Sequence, residues 1–369
     1  MIDLVDAVMR PGSVQSMLSD YPVIYRAQNL KYIRICKVDD QVVAVVPFVR
    51  RSIEIGGCRF SIGIISPTAT HPDHRHKGYG LACLRSCLRQ MIEDDIDLSV
   101  LWTVIETFPF YDHAAYQPVR TQIRRYPCFR QDAPLFTDCG HRIVEYDPAS
   151  QRYLTDIQRM HEQDIVGVVR QLDEYAALFS LHKMRTLLAF AGDTPVAYLV
   201  VSAASNKPGL IEGGGNTDGL QSLLHQALEQ IPRDESVYAY GYGTPSVLGD
   251  LLERTLGERG EPLPGNMMIR INRPGRFFAR ICPWLTQKAG SRTDSVSLKV
   301  SDTEETISFT FSGQCLHLGT ERQTQHAEVT RQELTSLVFG EHLVRRVEMP
   351  RMAGNLFPLY FPIWVLDSS

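Results

Sequence analysis

The chain has 369 residues, of which 44% are hydrophobic, and it carries a formal net charge of −4 at pH 7. This length allows two or three domains of roughly 150 residues each, with ordinary apolar cores. The acidic balance argues against a general nucleic-acid binder and against docking on anionic membranes. The first residues lack the basic and apolar regions of a secretory signal. We therefore expect a cytoplasmic protein with no nucleic-acid partner and no membrane partner.

The cysteine pattern and the apolar runs exclude two further classes. The eight cysteines are scattered and form no Cys-x-x-Cys pair, so neither a zinc ribbon nor a thioredoxin-like motif is expected. The longest apolar runs are far shorter than the roughly 20 residues that a membrane span needs.

The first third of the chain predicts two hairpins, a helix and a buried strand. Alternating residues at 31–37 and 41–49 flank a polar turn, and a Gly-Gly corner joins 53–55 to 58–65. From Gly80 the apolar period changes to that of a helix, which ends near residue 93. Residues 98–106 are almost continuously apolar, as in a strand buried on both faces. A short helix at 111–116 and an extended segment at 119–129 follow.

The remainder predicts a second unit of similar order and then a smaller one. Helices are expected at 151–163 and 171–189. A strand, a Gly-rich turn, a helix, a strand, a helix and a strand follow up to residue 272. Beyond 272–278 come alternating strands and a helix that begins after Thr330, with Glu333 completing a capping box. The aromatic tail 356–369 would expose a large apolar patch in water, so we expect it to pack onto another domain or subunit.

These elements predict an α/β (α+β) protein of three domains. The first spans 1–145, the second spans 146–273 and the third spans 274–369. The second repeats the element order of the first, which indicates two tandem copies of one mixed-sheet fold.

The stretch HPDHRHKGYGLACL at residues 71–84 poses a choice between a metal site and a phosphate site. His71, His74 and His76 with Asp73 are possible ligands. However, the Arg and Lys beside them would repel a cation, and the spacing is not that of a helical zinc motif. We therefore expect no metal.

A phosphate fits the same stretch better. It lies between a strand and an amphipathic helix, and the start of a helix leaves about four amides unpaired with a partial positive charge. Gly78 and Gly80 would let phosphates approach the main chain, and Arg75 and Lys77 add positive charge. The alternative is structural, because the two glycines would also serve to turn the chain and pack the helix closely.

Two motifs resemble the GNAT acetyltransferase superfamily. HPDHRHKGYGLACLRSCL is similar to its acetyl-CoA pyrophosphate motif, and FPFYDHAAYQPV resembles its short helix after the fifth strand, with Ala115 where Gly is usual. The three-part layout resembles the enhanced-intracellular-survival type. That type has an active GNAT domain, a degenerate GNAT domain and a domain like sterol carrier proteins. The second unit has GGGNTDG without flanking Arg or Lys, so we expect it not to bind the cofactor.

The resemblance implies acetyl-CoA as co-substrate, without a metal, and assigns residues to it. Main-chain groups of three residues would meet the pantetheine arm, the amides of 76–81 would hold the pyrophosphate beside two basic side chains, and two residues would line the acetyl end. These cofactor-binding residues are Thr68, Ala69, Thr70, Arg75, His76, Lys77, Gly78, Tyr79, Gly80, Leu81, Glu106 and Thr107.

The resemblance also assigns catalytic roles. Tyr111 matches the general acid, and a phenol is a suitable proton donor because its pKa of about 10 lies near that of an alkyl thiolate. The chain's final carboxylate, on Ser369, matches the general base. Asp367, Glu106 or an ordered water are the alternatives for that base.

The sequence therefore predicts an N-acetyltransferase that moves an acetyl group directly to a primary amine. The acidic balance favours a cationic small molecule or a lysine side chain as acceptor. The alternative is a non-catalytic lipid or acyl-CoA binding protein that uses the sterol-carrier-like domain. A third reading, nucleic-acid binding through four Arg at 120–130, conflicts with the acidic charge. The family resemblance implies a homo-oligomer.

Overall fold

The computed structural model describes residues 1–13, 16–119, 123–164, 166–203, 209–241, 246–263, 266–340, 356–357, 359, 361 and 367. The described chain forms two compact units, each assembled from separate segments. The first unit comprises Met1–Met17, Ile24–Thr121 and Gly265–Phe361. The second comprises Leu18–Val23, Gln122–Pro264 and Pro362–Ser369.

Helices and strands alternate along most of the chain. The helices are α1 Ile2–Met9, α2 Met17–Asp20, α3 Tyr79–Glu93, α4 Phe108–Asp112, α5 Leu154–His161, α6 Leu172–Phe179, α7 Thr217–Glu229, α8 Val247–Leu256, α9 Pro274–Ala289 and α10 Arg331–Phe339. The strands of the first half are β1 Ile33–Val38, β2 Gln41–Ile55, β3 Cys58–Ile65, β4 Ala69–Thr70, β5 Leu98–Trp102, β6 Gln117–Pro118, β7 Arg124–Phe129, β8 Arg142–Glu145 and β9 Val166–Val169. Those of the second half are β10 Met184–Ala191, β11 Thr194–Ser202, β12 Gly209–Gly215, β13 Ser236–Gly241, β14 Glu261–Pro262, β15 Met267–Ile271, β16 Arg292–Val300, β17 Glu305–Gly313, β18 Cys315–Gly319 and β19 Gln325–Val329.

The first unit is built on a mixed sheet in the order β1-β2-β3-β5-β15-β6, with β4 paired to β2. Strands β3 and β5 are parallel, and their neighbours in this order are antiparallel. Helix α3 covers one face because its apolar side chains recur with helical spacing. Leu84, Cys87 and Met91 are buried there against Val46 and Phe48 of β2. Burying side chains of this size contributes roughly 1.5–3 kcal/mol each.

The third segment of the first unit adds a smaller sheet in the order β18-β17-β16-β19. Helix α9 packs on β3, where the rings of Phe277 and Phe60 meet edge to face at 5.8 Å. The tail residues Leu356, Phe357, Leu359 and Phe361 are buried in the same unit. Phe361 packs beside Phe60 and Phe339, and Phe357 packs beside Phe278.

The second unit has a sheet in the order β14-β7-β13-β12-β11-β10-β8. Its parallel pair, β12 and β13, is joined at Leu210 opposite Ala239. Helices α7 and α8 supply the leucines of its core, among them Leu224 and Leu252, which are completely buried.

The mixed α/β class that the sequence predicts is confirmed. Helix α3, the hairpins β1–β2 and β2–β3, and the capping box between Thr330 and Glu333 also match the expectation. The domain boundaries at 145 and 273 stay predictions, although a strand before each boundary joins the sheet of the other unit. Strand β15 precedes residue 273 and joins the first unit's sheet, and β7 precedes residue 145 and joins the second unit's sheet.

Several predicted elements are wrong. The short helix expected at 111–116 is Phe108–Asp112 instead. The helix expected over 171–189 ends at Phe179, and β10 takes the apolar run that follows, because a short apolar run fits either element. The buried strand expected over 98–106 ends at Trp102, and Val104 and Ile105 are 61% and 65% exposed. Among the described residues, no helix is both long and apolar enough to cross a lipid bilayer.

Candidate functional site

The parallel strands β3 and β5 separate at their carboxyl ends. Their last paired residues are Ile65 and Leu101. Beyond Ile65 the chain stays with β2 instead, since Thr70 lies opposite Ala44 and the His71 amide donates to the Val43 carbonyl at 2.9 Å. Residues 66–70 therefore have main-chain groups that are not used by β5.

The start of helix α3 leaves a row of main-chain amides unpaired. Gly78 is the N-cap, in a left-handed conformation with φ 84°, and it offers no capping side chain. The first amide to enter the helix is that of Ala82, which donates to the Gly78 carbonyl at 2.9 Å. The amides of residues 76–81 donate to no other described residue. Such amides carry the positive end of the helix dipole, and a helix start of this kind favours negative charge.

The two glycines have different roles. A Cβ on Gly78 would meet no atom within 4 Å, so this glycine leaves open space in front of the amides. A Cβ on Gly80 would lie 2.8 Å from Thr70 Oγ1, so this glycine lets α3 approach β4 closely. Gly80 therefore has the packing role of the structural interpretation, and the phosphate interpretation stays a prediction.

Basic groups surround the open amides. Arg75, His76 and Lys77 are exposed, and the Arg75 guanidinium donates to the Thr70 carbonyl at 3.4 Å. His76 also adopts a left-handed conformation, with φ 59°. This local positive charge in an acidic chain favours an anion such as a diphosphate.

Tyr111 is a buried phenol between the ends of the separating strands. It lies in α4 and is 7% exposed. Burial raises the pKa of Tyr111, and the hydroxyls of Thr68 and Thr103 partly offset that rise. Thr68 Oγ1 is itself buried and has no hydrogen-bond partner of ordinary geometry among the described residues. The phenol therefore stays protonated at neutral pH, which suits a proton donor.

Tyr116 packs behind Tyr111, with the ring centroids 5.9 Å apart. It is completely buried and hydrogen-bonded to Ser99, and burial raises its pKa strongly. The turn between the two tyrosines is held by Arg270, which donates to the Ala114 carbonyl at 3.0 Å. Ala115 in this turn has φ 63°, a conformation that glycine adopts more easily.

The predicted residues at the acetyl end lie in an exposed turn after β5. Thr103 and Thr107 are hydrogen-bonded through their hydroxyls, and Thr107 Oγ1 donates to the Val104 carbonyl at 2.8 Å. Glu106 is exposed in the same turn. Sequence reasoning assigned Thr107 but missed Thr103, whose position at the end of a buried apolar run was the available signal.

Residues 10–119 match the family model described as an acetyltransferase (GNAT) domain. The chain therefore carries a GNAT acyltransferase domain. A comparison with curated proteins gives no match to this sequence.

The fold around the GNAT domain is shared with solved structures. One is a conserved protein of unknown function from Enterococcus faecalis V583, a probable N-acyltransferase. It has 15% identity and a TM-score of 0.70, covering 90% of this chain and 84% of that one. A GCN5-related N-acetyltransferase from Anabaena variabilis has 14% identity and a TM-score of 0.68, with coverages of 98% and 95%. Eis1 from Mycobacterium abscessus has 11% identity and a TM-score of 0.62, with coverages of 96% and 92%.

The GGG segment in the second unit differs from the loop of the GNAT domain. Gly213, Gly214 and Gly215 belong to strand β12, where the sequence predicted a turn. A Cβ on Gly215 would lie 2.3 Å from the Val196 carbonyl oxygen, and one on Gly214 would lie 2.8 Å from the Tyr198 ring. Helix α7 is capped by the Asn216 side chain, which accepts from the Gly219 amide at 2.8 Å.

Strand β12 also carries a buried charged cluster that sequence reasoning missed. The Arg170 guanidinium donates to both carboxylate oxygens of Glu212 at 2.7 and 2.6 Å, and to both of Asp367 at 2.7 and 2.8 Å. All three side chains are 0% exposed. Burial alone would raise the pKa of Glu212, but Arg170 and His161 hold it well below its usual range. The three residues are too far apart in sequence for any local pattern to reveal the cluster.

Three further predictions concern residues outside this site. Ser369 lies outside the described residues. Within the described residues, no group of three or more His, Cys, Asp or Glu side chains is arranged to hold a metal ion. In the basic segment, Arg124 pairs with Glu253 and Arg125 pairs with Glu261.

Proposed function

We propose that the chain is an acetyl-CoA-dependent N-acetyltransferase that moves the acetyl group directly to a primary amine. The row of unpaired amides at 76–81, in the same domain as the buried phenol of Tyr111, carries this proposal. The amides and the flanking Arg75 and Lys77 would hold the diphosphate. The main-chain groups of Thr68, Ala69 and Thr70 that β2 does not use would meet the pantetheine arm.

In this reaction the protein would mainly position the reactants and transfer protons. Acetyl-CoA, when bound, supplies the thioester that the neutral amine attacks. As the new C–N bond forms and the C–S bond breaks, the Tyr111 hydroxyl would protonate the departing sulfur. The proton lost by the amine passes to a base.

The base is proposed as Ser369, through a terminal carboxylate. Asp367, the alternative two residues earlier, has both carboxylate oxygens bound by Arg170. Its burial and its ion pair oppose a role in proton transfer. Glu106 is exposed beside Thr107 and has the freedom that a base needs, so it remains the alternative.

The acceptor is proposed to be cationic, a small molecule or a lysine side chain. The exposed carboxylate of Glu106 and the net charge of −4 would attract such an amine. We further propose that the second unit is a degenerate GNAT-like domain and that 274–369 is a sterol-carrier-like domain. A homo-oligomer is proposed from the same resemblance.

Thiol release from acetyl-CoA in the presence of a panel of amines tests the proposal. We expect turnover in the wild type and a loss of about a hundredfold or more in kcat for Tyr111→Phe, which removes the proton donor. Tyr153→Phe, in the second unit, is the matched control and should keep wild-type activity. Unchanged turnover in Tyr111→Phe would contradict the role of the phenol.

The pH profile provides an independent test of Tyr111. Because burial raises the pKa of Tyr111 above 10.0, its protonated form persists as the pH rises. We therefore expect no loss of kcat from ionisation of this group until the pH exceeds that value. A loss of kcat between about pH 7 and about pH 9 that disappears in Tyr111→Phe would contradict this assignment.

A further inference from the structure

Two neighbouring aliphatic side chains are exposed at the rim of the site. Val104 and Ile105 are 61% and 65% exposed, although the strand that precedes them is buried from Leu98 to Leu101. Single exposed hydrophobic residues are common and need no explanation. Two adjacent residues beside a binding site, however, form an apolar surface of the kind that contacts a ligand.

Hydrogen bonds hold the turn that carries this pair. The Thr103 and Thr107 hydroxyls are bonded to each other, and Val104 and Ile105 lie in the turn between the two threonines. The Val104 carbonyl accepts from Thr107 Oγ1 at 2.8 Å, and the Thr103 amide donates to the Asn266 carbonyl at 2.9 Å. The apolar pair therefore lies on the turn that joins β5 to α4, the helix that contains Tyr111.

A carboxylate follows the apolar pair directly. Glu106 is exposed in the same single turn, with its side chain available to a positive charge. The turn thus presents an apolar surface and an acidic group next to each other, within reach of a proton donor. This combination matches a ligand that carries a cationic amino group and an apolar body.

We propose that the acceptor is an amphiphilic amine whose apolar body lies on Val104 and Ile105. This inference rests on the proposed acetyl transfer and names the class of acceptor. The two side chains are specificity-determining residues and do not touch the reacting atoms. They would strengthen acceptor binding in proportion to the apolar area that the amine covers.

A series of primary n-alkylamines from butylamine to octylamine tests this directly. In the wild type, kcat/KM should rise about threefold for each methylene that reaches the pair, mainly through a lower KM. In the double variant Val104→Ser/Ile105→Ser the rise should flatten, with about a tenfold loss for octylamine and little change for butylamine. The KM for acetyl-CoA should stay the same.

Leu30→Ser is the matched control, because Leu30 is 52% exposed in the first unit. It should keep the full dependence on chain length. A dependence that survives in the double variant would overturn the inference. So would a double variant that changes its oligomeric state in size-exclusion chromatography with light scattering while keeping wild-type acceptor kinetics, because a second copy would then cover the pair.

The outcome also separates this inference from the proposed function. Coenzyme A binding together with acetylation of all amines at rates independent of chain length would overturn only the acceptor class. If no amine is acetylated and calorimetry detects no coenzyme A binding, both proposals are overturned.

Discussion

Helices α3 and α7 both follow a strand and a glycine-rich segment, yet they begin in opposite ways. At α3 the amides of 76–81 donate to no other residue that the structure describes, and a Cβ on Gly78 would meet open space. At α7 the Asn216 side chain caps the helix, and the glycines before it lie against the main chain of β11. One helix start has open space in front of its amides, whereas a side chain of the protein caps the other.

The difference shows that glycine content alone does not identify a phosphate site. The informative features are the residues that flank the glycines. Arg75 and Lys77 are exposed beside the open start, whereas Glu212 precedes the closed one and is bound by the buried Arg170. The charges beside the start of α3 are therefore positive and exposed, whereas the charge before α7 is negative and paired with Arg170.

Removal of Arg170 should cause the largest loss of stability, because Arg170 binds the buried Glu212 that precedes α7. Arg170→Met leaves the carboxylates of Glu212 and Asp367 buried without a partner, which costs about 3–5 kcal/mol in free energy of unfolding. Urea titration measures this loss. Arg185→Met is the matched control, because its ion pair with Glu145 is about half exposed and should contribute less than about 1 kcal/mol. Equal losses in the two variants would contradict the account of the cluster.

Substitution of Gly78 should weaken the binding of coenzyme A at the start of α3. Gly78→Asp puts a side chain and a negative charge in front of the free amides, so the Kd for coenzyme A should rise about a hundredfold, or roughly 3 kcal/mol. Isothermal titration calorimetry measures the change. Gly57→Asp is the control, since Gly57 has a similar φ of 76° and equally open space at the β2–β3 turn. Its Kd should match the wild type.

Asn216→Ala should destabilise α7 without affecting the binding of coenzyme A. Without its capping side chain α7 loses one hydrogen bond, and the free energy of unfolding should fall by about 1 kcal/mol. The Kd for coenzyme A should not change, because the closed start takes no part in binding. A weakened affinity in calorimetry would show that the second helix start also holds the cofactor.

Ala115→Gly should have the smallest effect and the opposite sign. Ala115 adopts φ 63° in the turn after Tyr111, where glycine avoids the steric cost of the left-handed region. We expect a gain of about 0.5–1 kcal/mol in thermal or urea unfolding. Ala82→Gly, at an exposed position inside α3, should instead lose about 1 kcal/mol. A loss in both variants would contradict the assigned turn.

Local sequence patterns predicted the region around the start of α3 well and the region before α7 poorly. The apolar period after Gly80 fixed α3 within a residue, and the motif around Gly78 located the unpaired amides. The same reasoning missed the end of β5 at Trp102, because Val104 and Ile105 are as apolar as buried strand residues. It also missed β10, since its apolar run suits a helix as well.

The remaining errors concern contacts between distant parts of the sequence. No local pattern indicates that β15 pairs with β5, or that Asp367 binds Arg170. Thr103 was missed for a related reason, because its role depends on the position of Tyr111 in space. Such contacts depend on tertiary packing and are not encoded in periodicity.

Hydrogen exchange with and without coenzyme A reports on the amides of 76–81 themselves. It is therefore the most direct test of whether these amides bind the cofactor. We expect coenzyme A to slow the exchange of the amides of 76–81 and to leave the exchange of those of 213–219 unchanged. Unchanged exchange at 76–81 under saturating coenzyme A, or protection that arises at 213–219 instead, would contradict it.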